Sequence, residues 1–265
     1  MKTILNKFGE EPFILHLPGN GMKDFYQNIS FVENKPITYN ENIHIIYICT
    51  PNIDSPLERQ LIKNKIPYTN IVSYINDDYL KVSKKWSWMY KHIAIKRFLH
   101  DTETLKAKKI NEWTTFIVLD ASDVFINKLE NIVSTYNKYW GSSRVVFCGT
   151  KSDYPNECFY DIPYNKTPTV KSDFCIFINC GGYICTGKWL LKLTNAILKY
   201  NSIGYIGDYE LNHVLIDDDQ YLCKIMQKRH ALGYRKIIVD ENCRIFQSAS
   251  ACTKLTETDN LVIID

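Results

Sequence analysis

Thr115-Phe116-Ile117-Val118-Leu119-Asp120-Ala121-Ser122-Asp123-Val124 opens with an uncharged, largely apolar run, Thr115 to Leu119, which is followed by two carboxylates three residues apart. Its β-branched and aromatic content reads as a buried strand that stops at Asp120. Ligands of open α/β sheets collect at the carboxyl ends of strands, so carboxylates at this point can converge on one cation. A bare Asp-x-x-Asp pair reads equally as a turn Asp followed by a helix N-cap, and the pair alone leaves both readings open.

Outward from this run, strand-like segments at 44–48, 144–147, 174–178 and 236–239 alternate with helix-like ones, and no Pro/Gly/Ser-rich linker divides them. That alternation predicts a single α/β domain over residues 1–265. The formal charge of +3 is too small to argue for nucleic acid, and the basic run 81–109 reads partly as a solvated helix face. The nine cysteines show no CxxC pair or zinc spacing, and Cys49, Cys148 and Cys175 read as small hydrophobes inside apolar strands. The N-terminus has no apolar region of signal-peptide length and no segment approaches a membrane span, which predicts a cytoplasmic protein.

Three more stretches follow the Asp-x-x-Asp strand: Phe177-Ile178-Asn179-Cys180-Gly181-Gly182-Tyr183-Ile184, then Asp217-Asp218-Asp219-Gln220-Tyr221, then Val239-Asp240-Glu241-Asn242-Cys243-Arg244-Ile245-Phe246-Gln247. In this order the four motifs closely resemble the glycosyltransferase domain of the procollagen lysyl hydroxylases. The resemblance runs from residue 43 to the end, with weak matching over 144–174. It implies a GT-A fold, a Rossmann-like nucleotide-diphospho-sugar transferase with a mixed central sheet.

That family's domain ends in an apolar strand, a metal-binding His and an Asn-Gly turn followed by a Lys. The best match here lies at the start of the chain, Phe13-Ile14-Leu15-His16-Leu17-Pro18-Gly19-Asn20-Gly21-Met22-Lys23. The resemblance therefore implies a circular permutation in which residues 1–28 supply the family's C-terminal metal and diphosphate motif, tolerable because domain termini often lie close together. Read without it, Phe13 to His16 is a core strand with an ordinary His, followed by an ordinary turn.

By resemblance, Asp120, Asp123 and His16 are the metal ligands. Oxygen donors with an added imidazole suit manganese, with magnesium as the alternative. Asn20, Gly21 and Lys23 then meet the diphosphate of a UDP-sugar donor. Thr50 meets its base or ribose, and Lys85 and Trp88 flank the sugar. Ser122 stands where the family often has a Tyr against the base, and Cys180 stands where it has Ser.

Asn179 and the two glycines after it are expected to approach the sugar, the glycines because they carry no Cβ. Asp218 and Asp219 are expected to grip donor or acceptor hydroxyls and stabilise positive charge at the anomeric carbon. The segment from Asp240 to Gln247 is expected to be structural, with Arg244 paired to a carboxylate and Phe246 in the core. The activity implied is transfer of glucose from UDP-glucose to galactosyl-hydroxylysine of collagen-like protein, with retention. The alternatives are UDP-galactose or another UDP-sugar with a different glycan acceptor, or a non-catalytic UDP-sugar or collagen-binding module.

Overall fold

The computed structural model describes residues 3–6, 9–16, 31–39, 42–49, 55–75, 89–121, 123–150, 152–153, 170–171, 175–203, 205–206, 209–210, 219–248 and 261–264. The chain begins with β1 (Thr3–Asn6), β2 (Ile14–His16) and β3 (Ile43–Ile48), then α1 (Pro56–Lys63), β4 (Tyr68–Asn70), α2 (Met89–His100) and α3 (Thr102–Ala107). Next come β5 (Thr115–Asp120), β6 (Val124–Ile126), α4 (Ile132–Tyr139), β7 (Val145–Thr150) and the two-residue strands β8 (Ser152–Asp153) and β9 (Val170–Lys171). After β10 (Phe177–Thr186), α5 (Gly187–Ile203), β11 (Tyr205–Ile206) and β12 (Tyr209–Glu210), the last elements are α6 (Asp219–Lys228), β13 (Ile237–Asp240), β14 (Phe246–Ser248) and β15 (Leu261–Ile264).

Six strands form the central sheet in the order β13-β7-β10-β5-β3-β4. It is mixed: β10 runs antiparallel to both neighbours, while β13 lies parallel to β7 and β5, β3 and β4 are parallel to one another. The protein is thus α/β with a mixed sheet, and the expected strand from Thr115 stops at Asp120. Alternation along β5 sends Phe116 and Val118 into one core with residues of α2, α5 and α6, and Ile117 and Leu119 into the other with residues of α1 and α4. Burial on both faces explains why these strands read as continuous apolar runs.

A second sheet of three strands, β14-β2-β6, stands beside the first. β2 is its middle strand, parallel to β14 and antiparallel to β6, with His16 in register between Ser248 and Val124. β1 pairs antiparallel with β15, so the first and last described strands also meet. Gln60 of α1 pins β6 from inside the core: its side chain donates to the Ile126 carbonyl and accepts the Ile126 amide, both at 2.8 Å.

Two expectations need correction. The apolar strand that includes Ile178 does not end at Asn179 but continues to Thr186. It passes through Cys180, Gly181 and Gly182 as a bulge against β7, whose pairing jumps from Asn179–Cys148 to Tyr183–Phe147. Asn179 holds the bulge by accepting the Gly181 amide at 2.8 Å. Of the three cysteines expected inside strands, Cys148 is, whereas Cys49 follows β3 and Cys175 precedes β10. All three are buried. Among the described residues, no helix is long and apolar enough to cross a membrane.

Candidate active site

β5 and β3 run parallel and in register up to Asp120 opposite Ile48, so Asp120 stands at the carboxyl end of the sheet. Ser55, the N-cap of α1, donates to the Ala121 carbonyl at 2.8 Å and fixes the turn between Asp120 and Asp123. β6 departs immediately after Asp123 and lies against β2. The N-terminal strand therefore delivers His16 to the same turn, with its Nε2 3.5 Å from Asp123 Oδ1.

The bulge in β10 closes over this meeting point. A Cβ on Gly181 would overlap the His16 ring, coming within 2.6 Å of Nε2, and a Cβ on Gly182 would come within 3.0 Å of the Phe246 ring. Both glycines make room, by lacking a Cβ, for the His16 imidazole and the Phe246 ring.

On the other side of Asp120 lies Lys91 of α2, which is 1% exposed. Its Nζ is 3.6 Å from Asp120 Oδ1 and 2.8 Å from Asp219 Oδ2, and it donates to the Cys180 carbonyl at 3.1 Å. His92, next in the chain, brings its Nε2 within 3.1 Å of the same Asp219 oxygen. Asp219 is the first residue of α6, where the helix dipole favours a negative charge. Gln220 then accepts the Cys180 amide at 3.4 Å and ties α6 to the bulge.

Two linked groups result, His16 with Asp123 and Asp219 with Lys91 and His92, and Asp120 stands between them. The electrostatics differ across this line. Burial disfavours charge on Asp219, but Lys91 and His92 outweigh it and hold the carboxyl down to about 2. Burial likewise opposes charge on Lys91, yet Asp219 and Asp120 keep its pKa well above the usual lysine value. Burial lowers His92 below its ordinary value despite Asp219.

At Asp120 burial wins, aided by repulsion from Asp123 and Asp219, and its pKa is raised from the ordinary value. Asp123 goes the other way: burial raises it, but His16 prevails and holds it low, while His16 is raised against burial by Asp123 and Asp120.

Several polar atoms here are buried without a hydrogen-bond partner: Asp120 Oδ1, Asp123 Oδ1, His16 Nδ1, His92 Nδ1 and Ser248 Oγ. Buried polar atoms in folded proteins rarely go unmatched, and such a concentration marks a place where an absent group would bond. The side chains of Asp120 and Asp123 remain 22% exposed, so their remaining atoms face an opening.

The donor chemistry of His16, Asp120 and Asp123 fits a divalent cation. Among the described residues, however, no three His, Cys, Asp or Glu side chains form a ready-made metal group. His16 and Asp123 already face each other, whereas Asp120 leans toward Lys91.

Of the residues singled out by sequence, His16, Asp120, Asp123, Asn179 and Asp219 thus share one neighbourhood. Asn179 spends its side-chain oxygen on the Gly181 amide. Asn20, Gly21, Lys23, Thr50, Lys85, Trp88, Ser122 and Asp218 lie outside the described residues. Sequence reasoning missed Lys91 and His92. Lys91 had a readable signal, since helical spacing puts it on the face of Ile95 and Phe98, both fully buried. Lysine on a core face must find a counter-charge.

Comparison with protein-family models found no match, and a search of curated proteins returned no significant match.

Proposed function

We propose that this chain is a metal-dependent UDP-sugar glycosyltransferase of GT-A type, transferring glucose from UDP-glucose to galactosyl-hydroxylysine of collagen-like protein. The observation that carries the reading is the convergence of His16, from the N-terminal strand, with Asp120 and Asp123 at the carboxyl end of β5. The motif resemblance names these three as ligands although His16 lies far from the two carboxylates in the chain and in an order the family does not use. The mixed sheet is compatible with an α/β fold, and β2, which carries His16, lies between β6 and β14 in the smaller sheet.

In this reading His16, Asp120 and Asp123 would hold manganese or magnesium, and the ion would supply positive charge to offset that of the diphosphate. Asp219, buried and kept ionised by Lys91 and His92, would act on the sugar only through the field of this ion-pair cluster and not by direct contact. Asn179 sets the shape of the bulge that encloses His16. Cys180 supplies a carbonyl to Lys91 and no side-chain chemistry is required of it.

The test is to incubate the protein with manganese and a panel of UDP-sugars, with and without galactosyl-hydroxylysine collagen peptides, and to measure UDP release and acceptor mass. Acceptor-dependent UDP release with a hexose added to the peptide is expected. Metal-dependent UDP binding without turnover on any acceptor would identify a binding module instead. Absence of metal-dependent UDP binding would overturn the proposal.

A further inference from the structure

Lys91 is the lysine of the ion-pair cluster among the described residues, and the transferase reading uses it only to keep Asp219 ionised. It rises from α2 in an otherwise apolar setting of Met89, Ala94 and Ile95. Its ammonium has three anchors on three elements: the Asp219 carboxylate, the Cys180 carbonyl and the Asp120 carboxylate. The first two are at hydrogen-bonding distance and fix Nζ in place. The third is an attraction without a hydrogen bond, since Asp120 Oδ1 has no hydrogen-bond partner. Asp120 is thus drawn toward Lys91 but not captured, while His16 and Asp123 face each other on its other side.

A divalent ion entering between His16, Asp123 and Asp120 meets two obstacles from the same group. It must take Asp120 from the pull of Lys91, and it must sit near a fixed positive charge that is 1% exposed and therefore poorly screened by water. A nucleotide diphosphate arriving with the ion brings negative charge that offsets this repulsion. A free-energy coupling of this kind is reciprocal, so metal strengthens the diphosphate as much as diphosphate strengthens the metal.

We infer that Lys91 is a positioning residue that weakens metal binding in the free protein and so makes metal loading depend on a nucleoside diphosphate. The inference rests on the transferase reading for the identity of the metal ligands, but it concerns this chain's own lysine. Lys91 touches neither the ion nor the sugar in this account. It acts through Asp120 and Asp219.

The experiment follows free Mn2+ by electron paramagnetic resonance while the metal is titrated into the parent protein, Lys91→Met, Lys91→Gln and Lys91→Arg, each with and without UDP. Lys91→Gln keeps a donor toward the Cys180 carbonyl while removing the charge. In the parent, UDP tightens Mn2+ binding by about tenfold or more. Both uncharged variants bind Mn2+ alone about tenfold more tightly than the parent, and the gain from UDP shrinks accordingly. Lys91→Arg keeps the parent's weak affinity and its coupling.

A purely structural lysine would give the opposite sign, because a loosened site binds metal less well. Uncharged variants that bind Mn2+ no more tightly than the parent would overturn the role given to Lys91 and leave the transferase reading standing. A parent that binds no Mn2+ even with UDP would instead overturn that reading, and this inference with it. If either uncharged variant folds only with metal, Mn2+ should restore its circular dichroism below the concentration that half-saturates the parent, and failure to do so counts against the inference.

Discussion

Asp120 and Asp240 are the last residues of two parallel-running strands of one sheet, β5 and β13, and in sequence both follow an apolar run. Their surroundings could hardly differ more. The Asp240 carboxylate accepts three backbone amides in the loop it heads, from Arg244 at 2.9 Å, Ile245 at 2.6 Å and Phe246 at 2.9 Å. That loop swings the chain into β14, which lies against β2 and so helps to seat His16. Asp120 Oδ1 accepts no hydrogen bond at all. A strand-end Asp with its bonds satisfied by its own loop is a structural brace, and one left unsatisfied beside other charges is a site for something else.

The largest effect expected from breaking this contrast is on stability. Asp240→Ala strands buried amides and should cost about 3 kcal/mol, read from chemical denaturation. Asp120→Asn should do the reverse. It removes a buried charge that is already poorly satisfied, and Lys91 keeps its pair with Asp219. Its unfolding free energy should stay within about 1 kcal/mol of the parent while metal-dependent UDP affinity falls by about a hundredfold or more. Equal stability losses in the two variants would erase the distinction between brace and site.

Gly181→Ala sharpens the contrast at the bulge. The added methyl overlaps the His16 ring, so the imidazole must shift and metal-dependent UDP affinity should drop about tenfold, measured by calorimetry. A glycine kept only for sugar access would leave metal and UDP binding unchanged and affect the sugar alone.

A pH dependence sharpens the same contrast. Burial lifts the Asp240 pKa from 3.8 to about 6 against its three amide bonds. The folded protein therefore holds this proton more tightly than the unfolded chain. The resulting stabilisation is complete below pH 3.8 and lost as pH rises through about 6. Across that window the parent's stability should fall by about 1 kcal/mol per pH unit relative to Asp240→Asn, which cannot titrate.

The apolar runs made the central strands legible, because burial on both faces leaves an unbroken hydrophobic signature. The assignment of Asp240 to Gln247 as structure was also legible: Phe246 is fully buried and Arg244 pairs with Glu10 at 3.2 Å. The union of His16 with Asp123 was reached through motif resemblance, since strand pairing between residues a hundred apart leaves no local trace.

What the sequence hid was the use of each side chain once neighbours arrived. Gly181 and Gly182 read as openings and proved to be clearances for His16 and Phe246. Nothing in the sequence signalled that the Asn179 side-chain oxygen would bond the Gly181 amide of its own strand. Lys91 vanished into a basic run whose other lysines drew attention, although its apolar helical neighbours set it apart.

The central claim is that His16 and the Asp120–Asp123 turn form one metal and diphosphate site. It is tested most directly by UDP binding, measured by calorimetry with Mn2+ and with a chelator, in the parent and in His16→Ala. The account predicts that the parent binds UDP only with Mn2+ and that His16→Ala loses this metal-dependent binding while keeping the parent's circular dichroism. UDP binding that ignores Mn2+, or a His16→Ala variant that binds Mn2+ and UDP like the parent, would contradict it.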